Sequence, residues 1–158
     1  IDRRDQIIHG TFKALDEPTL ERLGTGNADW ATVDAFACEI AGPAWVAGRL
    51  SDKRVLRWAN SKDLWWRRTA LAASTSLNKS SHGGQGDTRR TLMVCTPNVA
   101  DREDMIVKAL SWALRELTKF DAPAVEQFLK QHEDVLAARV KREVATKLRT
   151  GLKNPKRA

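Results

Sequence analysis

Between residues 101 and 120 the chain runs without a glycine or a proline, and its apolar side chains return at the spacing of one helix face. At about 100° per residue, Ile106, Leu110, Ala113, Leu114 and Leu117 fall within about a quarter turn of one another. Acidic residues stand at the start of the run, where the helix macrodipole favours negative charge. A helix with so clear an apolar stripe has to be covered by other elements, and the rest of the chain offers more helices.

Segments 12–23, 28–41, 44–59, 62–77, 123–132 and 139–152 carry helical signals. Gly24-Thr25-Gly26-Asn27 stops the first of them and Gly42-Pro43 the second. Asn60-Ser61 breaks the chain before residue 62 and supplies an N-cap there. Residues 78–87, NKSSHGGQGD, are the most loop-like, and residues 91–95 form a short apolar piece. The expectation is an all-α chain of HEAT-like antiparallel helix pairs stacked into a curved solenoid. It forms a single repeat domain over residues 1–158, with a loop-rich insertion at 78–100. No crisp internal repeat is visible, so a compact helical bundle fits the same helix lengths.

Charge is distributed unevenly. Residues 139–158 hold eight basic side chains (Arg139, Lys141, Arg142, Lys147, Arg149, Lys153, Lys156, Arg157) against Glu143 alone, which accounts for the whole net charge of +7. Residues 1–138 balance. A nucleic-acid partner fits this end, as does a solubilising basic tail. Cys38 and Cys95 are two lone cysteines, which suggests a reducing compartment. No stretch approaches the roughly 20 apolar residues of a membrane span. The expected setting is the cytoplasm (the nucleoid, in a bacterium), with no membrane partner and a monomeric chain.

Several residues sit oddly on their helical wheels. Trp112 lies nearly opposite the stripe of its helix, among Lys108, Arg115 and Lys119. It either packs against a neighbouring helix or floors a basic groove where its face meets a cation, a sugar or a base. In segment 28–41, Val33, Phe36, Ala37 and Ile40 form the buried stripe, with Trp30 and Asp34 adjacent at its edge, spaced i, i+4. Asp34 can cap or pair with an arginine, or it can stabilise a developing positive charge and orient a water. In "WWRRTA", residues 65–70, Trp66 shares an apolar face with Ala70, Ala73 and Leu77. Arg68 sits among Leu64, Trp65, Leu71 and Ala72, so it requires a carboxylate or a phosphate. Arg67 reads as solvated. His9, His82 and His132 are isolated from metal-ligand partners, and no metal or cofactor is called for. Gly83-Gly84-Gln85-Gly86 lacks the Lys-Ser/Thr of a phosphate-cradling loop. The adjacent Arg89-Arg90 are candidates for a phosphate contact.

These residues also carry a resemblance. The strings DWATVD (29–34), WANSKDLWWRRTAL (58–71), REDMIVKALSWALRELTK (102–119) and KREVATKL (141–148) resemble successive segments of the DNA alkylation repair family. That family comprises HEAT-like-repeat alkylpurine DNA glycosylases of the AlkD type. By position, the resemblance implies that Trp30 and Trp112 are active-site tryptophans, Asp34 the catalytic aspartate and Arg68 a DNA-contacting arginine. It also implies further repeats before the Trp-x-x-x-Asp helix, which residues 1–28 do not supply. Lys108, Arg115, Lys119 and Arg142 are the expected contacts to double-stranded DNA carrying alkylated purines.

The implied reaction suits the residue set. A purine alkylated at N3 or N7 is cationic and already a good leaving group, so the remaining task is to stabilise an oxocarbenium-like sugar. Asp34 can do so electrostatically or by orienting water. Trp30 and Trp112 can pack against the deoxyribose and share its charge. No lysine is placed to form a Schiff base, which points to a monofunctional hydrolase. The rival expectation is a non-catalytic helical-repeat scaffold that binds DNA or protein.

Overall fold

The computed structural model describes residues 15–156, so His9 and the start of the 12–23 segment lie outside the described residues. All regular structure there is helical, with no strand among the described residues. The main helices are α1 (Glu17–Gly24), α2 (Trp30–Phe36), α3 (Gly42–Val46), α4 (Asp52–Ala59), α5 (Leu64–Ser74), α6 (Thr88–Cys95), α7 (Asp104–Leu117), α8 (Ala122–Gln131) and α9 (Ala138–Thr150). No described helix is long and apolar enough to cross a membrane.

The helices fall into two rows. In one, α2 packs on α5, α5 on α7 and α7 on α9. In the other, α1 meets α4 through Arg54 and Arg57 on Glu21. Helix α4 packs on α6, and the Thr88 hydroxyl that opens α6 donates to Asp121 at the cap of α8. Each row supplies one face of a common core. The stripe expected on α7 is buried in full. Helix α5 is buried continuously over Arg68–Ser74, as a helix enclosed on all sides requires. Trp66 of "WWRRTA" packs half-buried against the core and stacks at 4.9 Å on Trp58, while Phe36 meets both rings at 6.4 Å. Such pairs contribute about 0.5–1.5 kcal/mol each beyond their burial.

Four local readings are corrected. The 28–41 helix does not stop at Gly42-Pro43. It widens into a π-turn over Ala37–Ala41, where the Gly42 N–H bonds the Ala37 carbonyl, and continues into α3. Proline lacks an N–H, and the wider turn lets it sit near the start of the next helical piece. A β-carbon on Gly42 would lie 2.2 Å from Ser76 Oγ, so this crossing admits only glycine. The 44–59 helix is interrupted at Gly48, whose φ of +74° disfavours other residues, and restarts with Ser51 as cap. The cap of α5 is Asp63, accepting from the Trp65 N–H, while Ser61 supports Asp63. Segment 78–100 contains the whole of α6, with Thr91, Val94 and Cys95 buried in the core.

Candidate functional site

All the residues singled out on α2, α5, α7 and α9 stand on one row of helices. Asp29 caps α2 by accepting from the Ala31 and Thr32 N–H groups, which leaves Trp30 as the first helical residue, 59% exposed. Asp34 follows one turn later, with Ala35 and Phe36 between it and the π-turn. π-turns within helices recur at functional sites.

Arg68 decides the geometry. Its Nε donates to Asp34 Oδ1 at 2.9 Å and its Nη2 to Oδ2 at 2.8 Å, while Nη1 donates to the Met105 carbonyl at 2.6 Å. The guanidinium therefore ties α2, α5 and the first turn of α7 together. Arg68 is only 7% exposed and the Asp34 side chain 21%. Of the two partners left open by the sequence, the one present is the carboxylate. Asp34 keeps part of its lone-pair capacity after a bidentate contact, because two carboxylate oxygens offer about four acceptor sites. Part of the Asp34 carboxylate remains open to water.

Arg67, expected to be solvated, is paired. It donates to Asp101 at 3.0 Å and to the carbonyls of Ser61 and Lys62, and so fastens α5 to the segment before α7. Trp65 lines a cleft of about 150 Å³ with Gly24, Gly26, Asn27, Ala28 and Asp63.

Trp112 is half-buried against the core and carries the ammonium of Lys79 at 5.3 Å from its ring centroid. Trp112 thus packs against the core on one side and meets a cation of its own chain on the other. Cys38, at i+4 from Asp34, feels both Asp34 and Lys79. Burial raises its thiol above the ordinary value, Lys79 and the Thr75 hydroxyl oppose the rise, and Asp34 and Glu39 add to it. Asp34, Cys38 and Lys79 thus form one electrostatic group, with Trp112 beneath the Lys79 ammonium. Reasoning from the sequence missed two of its members. Trp30, Asp34 and Cys38 recur at i, i+4, i+8, a signal that could have found Cys38. Nothing local marks Lys79.

The expected DNA contacts differ in what they touch. Lys108 pairs with Asp104 at 2.6 Å and Lys119 with Glu116 at 2.7 Å, both near the surface. Arg115 lies inward between α7 and α9, donating to Ser111 at 3.2 Å and facing Glu143 at 4.0 Å. Burial lowers its pKa, with Glu143 opposing. Arg142 is exposed on α9 and meets no carboxylate among the described residues. Arg89 and Arg90 reach Asp52 at 2.8 and 3.0 Å. In the glycine loop, the N–H groups of Gly83, Gly84 and Gly86 turn inward to the carbonyls of Ser80, Lys79 and Leu77. They are not presented to a phosphate. His82 accepts or donates at Ser76 Oγ, and His132 packs on Phe128.

A family model described as DNA alkylation repair enzyme matches residues 5–148. No curated protein matches the chain, and no solved structure does.

Proposed function

This chain belongs to the DNA alkylation repair enzyme family, and from that premise we propose that it is a monofunctional DNA glycosylase that removes N3- and N7-alkylated purines from duplex DNA. Asp34 is the electrostatic partner of the sugar. Trp30 and Trp112 are the aromatic surfaces, and Arg68 is the residue that holds Asp34 in place. The reading includes a curved solenoid of helix pairs whose α2-α5-α7-α9 row faces the DNA.

One observation carries it: a carboxylate fixed by a buried bidentate guanidinium, yet open on one side, one turn from an exposed tryptophan. A cationic alkylpurine leaves with its electrons as a neutral base. The positive charge then passes to C1′ and O4′ of the deoxyribose. A fixed carboxylate stabilises that charge without reorganising. Its remaining acceptor sites can orient the water that attacks C1′, and that water's proton goes to solvent or to the carboxylate. Arg68 cancels the charge of Asp34 at long range, so the stabilisation reaches only groups in direct contact. That restricts the effect to a sugar docked against the site. The proposed setting is intracellular, acting as a monomer without metal or cofactor.

A second reading draws on the same pair. An ion pair that uses both carboxylate oxygens is also what a purely structural tie between helices looks like, as in a non-catalytic DNA- or protein-binding scaffold. Release of methylated purine from alkylated duplex separates the two. The glycosylase reading expects release by the wild-type chain and its loss in Asp34→Asn. A scaffold releases none, and equal rates for the two proteins would remove Asp34 from the chemistry.

A further inference from the structure

Lys79 reaches Trp112 from a locked turn. It lies between two 3-10 turns, Thr75–Asn78 and Ser80–His82. Its N–H donates to the Ser76 carbonyl at 3.2 Å, and its own carbonyl accepts from His82 at 3.0 Å and Gly84 at 2.9 Å. Gly84 presses so closely on this turn that a β-carbon there would stand 2.2 Å from the Ser76 carbonyl oxygen. The backbone of Lys79 is therefore fixed while its side chain stays half-exposed. The fold sets the Lys79 backbone within reach of Trp112, and the flexible side chain carries the ammonium onto the ring.

What the ammonium lacks is an anion. Arg68, Lys108, Arg115 and Lys119 each face a carboxylate. Lys79 meets none among the described residues, and its one contact is the face of Trp112. A contact of that kind favours the bound position by only about two- to fivefold when partly exposed. A phosphodiester attracts the same ammonium directly and releases a condensed counterion in the exchange. The ring is a weak holder and the phosphate a strong one. Lys79 also influences the same thiol as Asp34.

We propose that Lys79 is a phosphate-binding residue of the DNA interface, resting on Trp112 in the free protein and moving to a backbone phosphate in the complex. This rests on the reading that the partner is duplex DNA. The move does two things at once. It adds one phosphate contact next to the sugar that faces Asp34. It also bares the face of Trp112, so that ring becomes available to the sugar only once the backbone is engaged.

The test is the salt dependence of binding to an unmodified duplex, measured for the wild-type chain, Lys79→Met and Lys79→Arg. The Lys79 side chain makes no hydrogen bond among the described residues, so neither variant is expected to unfold, and melting curves check this. Lys79→Met is expected to bind about three- to tenfold more weakly at low salt, with the slope of log K against log salt reduced by about 0.9. Lys79→Arg keeps the slope. An unchanged slope and affinity in Lys79→Met overturns the proposal and leaves the contact with Trp112 as packing. The glycosylase reading is judged separately by release of methylated purine from wild type. Release with an unchanged Lys79→Met slope sinks only the phosphate contact. A reduced slope without release sinks only the glycosylase. A wild-type chain that binds no duplex sinks both.

Discussion

Asp34 and Arg68 face each other through two parallel hydrogen bonds of 2.9 and 2.8 Å, although 34 residues separate them in sequence. The pair is asymmetric in its environment, since the guanidinium is buried and the carboxylate partly open. Removing the acid strands a charge that water cannot reach. Removing the base leaves a carboxylate that water can reach. The two halves of this pair therefore differ in what their loss costs.

Asp34→Ala is expected to destabilise the chain by about 3–5 kcal/mol, the usual cost of orphaning a buried charge. Arg68→Met is expected to cost less, because Asp34 can be rehydrated. Urea denaturation of both variants checks the order. If Arg68→Met proves the more damaging, solvent does not reach Asp34 as the structure implies.

Catalysis has to be read against that cost. Asp34→Asn keeps the shape and one acceptor, so it retains part of the grip on Arg68 while losing the charge. Excision of N3- and N7-methylpurine is expected to fall about a hundred- to a thousandfold, the typical loss for one preorganised electrostatic partner. Binding to undamaged duplex stays near wild type, since Asp34 touches no phosphate in this scheme. Single-turnover release, at a temperature where both proteins are folded by circular dichroism, measures the effect. A fall in rate no larger than the loss of folded protein would assign Asp34 to structure alone.

Cys38 offers a check on the neighbourhood that needs no DNA. Its thiol is raised above the ordinary 9.0, first by burial, with Lys79 pulling down and Asp34 pushing up. At pH 8 it should react with a thiol reagent more slowly than a free cysteine, because the thiolate is the nucleophile. Asp34→Asn removes a raising influence and shifts the rate–pH profile to lower pH. Lys79→Met removes a lowering influence and shifts it to higher pH. Cys95, fully buried and pushed up by burial alone, stays unreactive while the fold holds. Shifts in the opposite directions would place Asp34 or Lys79 elsewhere.

Local chemistry made much of this fold readable in the sequence. The stripe of α7 and the packing of Trp66 against the core follow from helical spacing, and so does the adjacency of Trp30 and Asp34. What could not be read depends on partners distant in sequence. Arg67 looked solvated because Asp101 is 34 residues away. Arg68 needed an anion, and the wheel alone gave no choice between carboxylate and phosphate. The cap of α5 moved from Asn60-Ser61 to Asp63 because several capping residues compete within four positions. Gly42-Pro43 reads as a helix stop unless a π-turn absorbs it, and local residue types do not announce one. Lys79 was hidden in a stretch that looked like loop. Its position depends on Gly84 pressing on the preceding turn.

Acid should loosen the seam between α7 and α9. Glu143 accepts from the Ser111 hydroxyl and from Arg139 at 2.9 Å. Burial raises its carboxyl, but those two donors together with the charges of Arg139 and Lys153 hold it below the ordinary 4.5. A carboxylate with a depressed folded value stabilises the fold fully above its unfolded value, and the contribution fades as pH falls through the folded one. Stability measured in urea should therefore decline below about pH 4.5, and Glu143→Gln should flatten that part of the profile. An identical slope in the variant would show that other carboxylates carry the acid response.

Arg115 and Arg142 were expected in one role, and the fold separates them. Arg115 is turned between α7 and α9 toward Ser111 and Glu143, whereas Arg142 stands exposed on α9 without a carboxylate partner among the described residues. A half-buried cation turned toward a carboxylate is poorly placed to release DNA counterions unless its helix seam opens, whereas an exposed, unpaired one is free to do so. Arg142→Gln is thus expected to weaken duplex binding to all sequences alike and to lower the salt slope by about 0.9, with the melting temperature unchanged. Arg115→Gln is expected to do the reverse. It lowers the melting temperature, since Glu143 loses a neighbour and Ser111 a donor, and leaves the salt slope of the folded fraction intact. Binding titrations between about 50 and 200 mM salt span the range where phosphate contacts are most visible. If Arg115→Gln lowers the slope as much as Arg142→Gln, Arg115 swings out to the DNA on binding. The seam between α7 and α9 would then be a moving part of the interface.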